Sequence, residues 1–289
     1  MKDQTAAARG WARELGPLDT RPLFRPLLGE LIGLLEALNA ADWDRPTLAG
    51  DWRVRDVAAH LLDGELRRVA AGRDGHLPPH PFPIHSDRDL ARFIHDLNGL
   101  GVAHLGRLSH RILIDLLKIT GAWTADLFEH LPLHERALWA VSWAGETESE
   151  NWMDIGRDYT ERWHHQMQIR DAIGEPRLLV PHWMEPLLDI SVRALPVAYA
   201  SQAAREGAVV TLEVFGPTSG TWSVAREEGR WRVAFGRPEH PDAVVRLAAD
   251  DAWRVLFNAV RSPGLQHRIV VEGNWDLARP LLNARSVIV

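Results

Sequence analysis

The period of the apolar residues changes once along this chain, and that change limits what the chain can fold into. Up to about residue 175, apolar side chains recur every three or four positions, the spacing of helices with one buried face. Beyond Val209 they fall into short Val-, Thr- and Trp-containing runs separated by Gly and Pro, which is how strands read. A helical bundle followed by a smaller domain of strands and helices is expected, and the fold class is α+β. The dividing point is placed at 182/183, giving domains 1–182 and 183–289.

Within the first part, apolar positions from Leu23 to Leu38 mark one helix, and Val54 to about Val69 a second with His60 in its middle. Pro78, Pro79, Pro81 and Pro83 exclude helix from the segment 72–86. Ser86 opens a third helix and Ser109 a fourth running to Phe128. The run 136–143 is short and apolar, a strand or a buried link, and a long helix over 152–173 stops at Gly174 and Pro176. Then come a helix over 183–205 and an antiparallel sheet with strands near 209–215, 221–225 and 230–235. Further strands fall at 244–247 and 269–272, with helices at 249–260 and 276–282.

Composition removes several classes of function. Of 289 residues 46% are hydrophobic, enough for a packed core, yet no apolar run approaches the roughly 20 residues of a membrane helix. The stretch Met1 to Gln4 lacks the apolar segment of a signal peptide, so a cytoplasmic location and no membrane partner are expected. A net charge of -6 with acids and bases interspersed leaves no basic stripe to follow a phosphate backbone, and nucleic acid is not an expected partner. With no cysteine there are no disulfides, thiolate ligands or protein thiol nucleophiles, so any thiol must come from outside. The 13 tryptophans supply large apolar area for lining a pocket.

One chemical constellation stands out. Glu161 and His165 lie four apart on the long helix, hence on one face, and that stripe continues through Ile169 and Ala172 toward an apolar interior. Joined by a distant His60 they would form a two-His, one-carboxylate metal site. Spacing alone leaves the plainer alternative open, in which Glu161 pairs with an arginine and both histidines are hydrogen-bonded core residues. His164 shares a stripe with Arg157, Gln168 and Asp171 and is expected to face water. His76, His80 and His85 in the Pro-rich loop read as solvated. No phosphate-binding glycine motif, paired-carboxylate signature or serine nucleophile motif is present.

The segment WDRPT at 43–47, with GDWRVRDVAAHLL at 50–62, resembles the first signature of the mycothiol-dependent maleylpyruvate isomerase family within the DinB-like metalloenzymes. ERWHHQMQIRDA at 161–172 is similar to the second. The resemblance implies a DinB-like four-helix bundle in which His60, Glu161 and His165 bind a divalent metal, usually zinc, and from about 185 a sterol-carrier-like domain. It implies an enzyme that uses an external low-molecular-weight thiol such as mycothiol on a small-molecule substrate, as a cis-trans isomerase or an S-transferase. In the isomerase reaction the thiolate adds to the cis double bond of maleylpyruvate, the resulting single bond rotates, and elimination returns the trans isomer. The resemblance assigns no arginine or tryptophan to substrate, and a monomer or small homo-oligomer is expected. Two alternatives are a non-haem iron oxygenase, which uses the same ligand types, and a lipid or small-molecule binding protein with a structural metal.

Overall fold

The computed structural model describes residues 10–260, 262 and 264–288; the segment Met1 to Gln4, read above for a leader, lies outside the described residues. The chain forms two compact units that interleave in sequence. Among the described residues, one is built from Asp19–Leu138, Glu150–Arg177 and Ile288, the other from residues 10–18, Trp139–Ser149 and the described part of 178–287.

The first unit is helical: α1 (Phe24–Ala37), α2 (Val54–Gly72), α3 (Asp87–Leu105), α4 (His110–His130) and α5 (Asn151–Ile173). The expected starts are built as the sequence suggests. Ser86 Oγ accepts the Asp89 N–H at 3.2 Å and Ser109 Oγ accepts that of Ile112 at 3.4 Å, each satisfying a donor that the first helical turn leaves unpaired. At the far end of α5, Gly174 takes the left-handed conformation (φ 77°) that closes a helix at little steric cost. Helices α1, α2, α4 and α5 pack as a bundle, and α3 lies against α2. Their apolar faces meet in a core containing Leu31, Leu35, Val57, Leu61, Leu62, Leu113, Leu117 and Ile169. Trp43, in the link after α1, joins this core and stacks on His110 with ring centroids 4.1 Å apart. Close approach matters at Gly121 of α4, where a Cβ would stand 2.7 Å from a Leu28 methyl of α1.

The second unit carries β1 (Arg13–Glu14), α6 (Pro181–Ser191), α7 (Leu195–Ala198), β2 (Val209–Phe215), β3 (Gly220–Glu227), β4 (Arg230–Phe235), β5 (Ala243–Ala248), α8 (Ala249–Leu256), α9 (Leu265–Arg268), β6 (Val270–Gly273) and α10 (Trp275–Leu282). The sheet order is β1-β4-β3-β2-β5-β6. Val210 faces Val224 and Leu212 faces Trp222 across β2 and β3, while α8 and α10 lie against β2 and β5. Helices and sheet together make the chain α+β.

The three strands expected to form an antiparallel sheet, β2, β3 and β4, pair that way, and β5 adds to β2 in parallel because the chain leaves β4 and crosses to the free edge of β2. Three local expectations are corrected. The helix expected over 183–205 breaks after Ser191 into a 3-10 turn and the short α7, where Pro196 has no N–H to continue the ladder. The helix expected to reach Val260 stops at Leu256, and Asn258 turns left-handed at φ 57°. The run 136–143 is neither a strand nor a buried link: Leu138 and Trp139 are exposed, Arg136 makes one bridge to Glu150, and a 3-10 turn over Ser142–Ala144 ends at Gly145 with φ 79°. No helix among the described residues is long and apolar enough to cross a membrane.

Candidate metal centre

His60 comes from the middle of α2, a segment whose alanines and leucines favour helix and bury Val57, Ala58, Ala59 and Leu62 completely. Glu161 and His165 come from α5, one turn apart. Each of the three offers a ligand atom, and these atoms lie within 4.8 Å of one another. His165 Nε2 stands 3.5 Å from Glu161 Oε2, and the rings of His60 and His165 meet edge-on with centroids 4.5 Å apart. Donors around a tetrahedral zinc ion with ~2.05 Å bonds stand about 3.4 Å apart, so the His165–Glu161 pair already has the required spacing. His165 keeps 9% of its side-chain exposure and Glu161 30%, which makes Glu161 the open side of the cluster.

The donor set suits a divalent cation. Burial works against ionisation of Glu161, but the His165 imidazole beside it and the fields of His164 and Arg157 hold its carboxyl well below the usual range. Burial first, and the neighbouring His165 second, push His60 down so that its imidazole is neutral at neutral pH. The cluster thus presents one negative charge and neutral imidazole nitrogen. His60 Nδ1 is fully buried with no hydrogen-bond partner, which costs on the order of 1–3 kcal/mol unless another group satisfies it. A cation held by these residues fits that observation and the chemistry of the donors.

The surroundings correct one further expectation. His164 and Gln168 do not face water: each retains only 4% exposure. Helix α5 is covered around most of its circumference, so a polar stripe on it does not mark a solvated face. His164 donates from Nδ1 to the Thr160 carbonyl at 2.9 Å, and burial lowers its imidazole to about 3. Gln168 meets His165 Nδ1 through Oε1 at 2.8 Å. The Trp52 ring lies 5.0 Å from that of His60. Gly64, one turn beyond His60, has nothing within 4 Å of where a Cβ would stand, and that leaves room beside the triad. His76, His80 and His85 are exposed and none joins the cluster; His80 packs edge-on against Phe93 of α3.

One polar structure had no counterpart in the sequence reading. Arg68 of α2 makes a bidentate pair with Asp154 of α5 at 2.8 and 3.1 Å, and its Nε reaches Asp158 at 2.6 Å. Arg162 pairs with Glu65 at 2.9 Å and with Asp158, while Thr124 of α4 donates to Glu65. Acidic and basic residues at three-to-four spacing in α5 (Asp154, Arg157, Asp158, Arg162) were the available signal. Exposed helices carry the same pattern, so it does not announce burial.

The family model described as the mycothiol maleylpyruvate isomerase N-terminal domain matches residues 24–170, just over half of the chain and nearly all of the helical unit. No curated protein matches. Among solved structures, the crystal structure of a mycothiol-dependent maleylpyruvate isomerase is 14% identical, with 81% of this chain and 86% of that one covered at a TM-score of 0.50. A point mutant of a mycothiol-dependent maleylpyruvate isomerase is likewise 14% identical, with 87% and 91% covered at a TM-score of 0.52. At that identity the likeness is one of fold, and it extends over both units. The solution structure of the sterol carrier protein domain 2 of Helicoverpa armigera is 18% identical over 32% of this chain and 81% of its own, at a TM-score of 0.26. Through the match that spans α1 to α5, the chain belongs to the mycothiol maleylpyruvate isomerase N-terminal domain family.

Proposed function

We propose that this protein is a metal-dependent enzyme that uses an external low-molecular-weight thiol of the mycothiol kind, with cis-trans isomerisation of a maleylpyruvate-like substrate as its reaction. The observation that carries the reading is the convergence of His60, Glu161 and His165 from two helices, in a member of this family that has no cysteine of its own. Those three residues would hold the cation, with zinc the expected ion, and a bound cation supplies Lewis acidity that favours the thiolate form of a thiol near it.

The chain's own groups define the rest. Glu161 supplies the one negative charge, His60 a neutral imidazole, and His165 an Nε2 directed at Glu161. The gap at Gly64 leaves space on the same face of α2 for a thiol and an electrophile to meet, and the Trp52 ring borders His60. Reversible addition then needs a thiolate to form a C–S bond at one alkene carbon while the electron pair moves onto the conjugated carbonyl. Rotation and expulsion of the same thiolate restore the double bond in the other geometry.

Elemental analysis of the purified protein, paired with turnover of maleylpyruvate with and without mycothiol, tests this. We expect close to one zinc per chain in the wild type, its loss in His60→Ala and Glu161→Ala, and turnover only with thiol. Undiminished metal in both variants would sink the site. Stoichiometric iron with oxygen-dependent turnover would point to an oxygenase, and a stable thioether product to an S-transferase.

A further inference from the structure

We propose that Gln168 is the positioning residue that fixes the tautomer of His165, so that the Nδ1 proton points away from the cluster and the Nε2 lone pair points into it. The inference rests on the metal-centre reading of His60, Glu161 and His165. A neutral imidazole carries its proton on one of two nitrogens. With the proton on Nε2 the N–H would point at Glu161, and Nε2 would offer no lone pair to a cation in the cluster. With the proton on Nδ1 it donates to Gln168 and leaves Nε2 free.

The distances separate the two. His165 Nε2 and Glu161 Oε2 are 3.5 Å apart, beyond the 2.7–3.2 Å range of an N–H···O hydrogen bond. His165 Nδ1 and Gln168 Oε1 are 2.8 Å apart, well within it, and an amide oxygen can only accept. Gln168 sits three residues beyond His165 on α5, where helix geometry brings the two side chains together. It retains 4% exposure, so water has little access to compete for the Nδ1 proton. The His60 ring is bounded by the rings of Trp52 and His165. Gln168 is therefore the polar anchor of His165. Outer-shell partners of this kind typically contribute about 10- to 100-fold to metal affinity.

The test begins with metal-free, 15N-labelled full-length protein, in which imidazole nitrogen shifts report the His165 tautomer without any metal. The Nδ1–H form is expected in the wild type, with a shift toward Nε2–H in Gln168→Leu. Zinc affinity, measured by competition with a chelator, should fall about 10- to 100-fold in Gln168→Leu and recover in Gln168→Glu, whose carboxylate also accepts from Nδ1. A merely structural role would lower the unfolding temperature of Gln168→Leu while leaving the tautomer as it was. An Nε2–H wild type, or unchanged zinc affinity in Gln168→Leu, would overturn the proposal. A wild type that takes up no zinc would instead overturn the metal-centre reading, and the tautomer would still decide whether Gln168 holds the ring as stated.

Discussion

At Gly64 a missing side chain sets the room available beside His60. The two residues share a face of α2 one turn apart, and a Cβ at Gly64 would meet nothing within 4 Å. Gly64→Ala should therefore raise stability by roughly 0.5–1 kcal/mol, the helix-propensity difference, with zinc content unchanged. Gly64→Phe should keep its zinc but reduce turnover by up to about 100-fold, because the ring would occupy the space where the reacting groups meet. Chemical denaturation, elemental analysis and steady-state kinetics on the same preparations check this, and full activity in Gly64→Phe would move substrate binding elsewhere. At this scale the sequence was informative about ligand types and blind to support. His60, Glu161 and His165 could be singled out because metal ligands come from a short list of residue types, and two of them shared a helical face. Gln168 could not, since nothing in its type or spacing says that it is buried.

Helices α2 and α5 are joined by charge as well as by apolar contact. Burial works against Arg68 as a cation, yet a guanidinium starts so far above neutral pH that it stays protonated. Burial also works against Asp154 as an anion, but Arg68 and Arg157 outweigh it and bring Asp154 down to about 2 from an ordinary 3.8. A carboxyl depressed in the folded state contributes stability above its unfolded pKa and loses it as pH falls through the folded value. This pair should therefore contribute on the order of 2 kcal/mol above about pH 4, declining toward pH 2. Asp154→Asn should flatten that part of the acid profile, and Arg68→Ala should cost about 3–5 kcal/mol by leaving buried carboxylates unpaired. Urea unfolding between pH 3 and 6 measures both, and an unchanged acid limb in Asp154→Asn would refute the assignment. Helix positions were legible from the sequence because apolar periodicity and caps are local. The buried pairing was not, because Arg68 and Asp154 are 86 residues apart and each is an ordinary surface residue type. Breaks at Pro196 and Asn258 were missed for a related reason: a continuing apolar pattern outweighed single residues that end a helix.

Over the whole molecule, the change of apolar period marks the two kinds of structure, while the units themselves interleave: residues 10–18 and Trp139–Ser149 cluster with the sheet-bearing unit. Linear reading assigns neighbours in sequence to one unit, and only the long-range contacts of those two segments reveal otherwise. All three candidate ligands nevertheless fall in the helical unit. A ligand that binds only the native site suppresses the openings that break that site and leaves other openings alone. With free zinc at about 100 times its dissociation constant, the added stability is about 2.7 kcal/mol, so exchange through site-breaking openings should slow about 100-fold. Hydrogen exchange followed peptide by peptide should show that slowing in α2 and α5, with strands β2 to β5 unchanged and no slowing anywhere in His60→Ala. Slowing confined to the sheet peptides would place the zinc outside the triad. Equal slowing in both units would mean that the openings breaking the site also expose the sheet, so that the two units unfold as one cooperative body when the metal is lost.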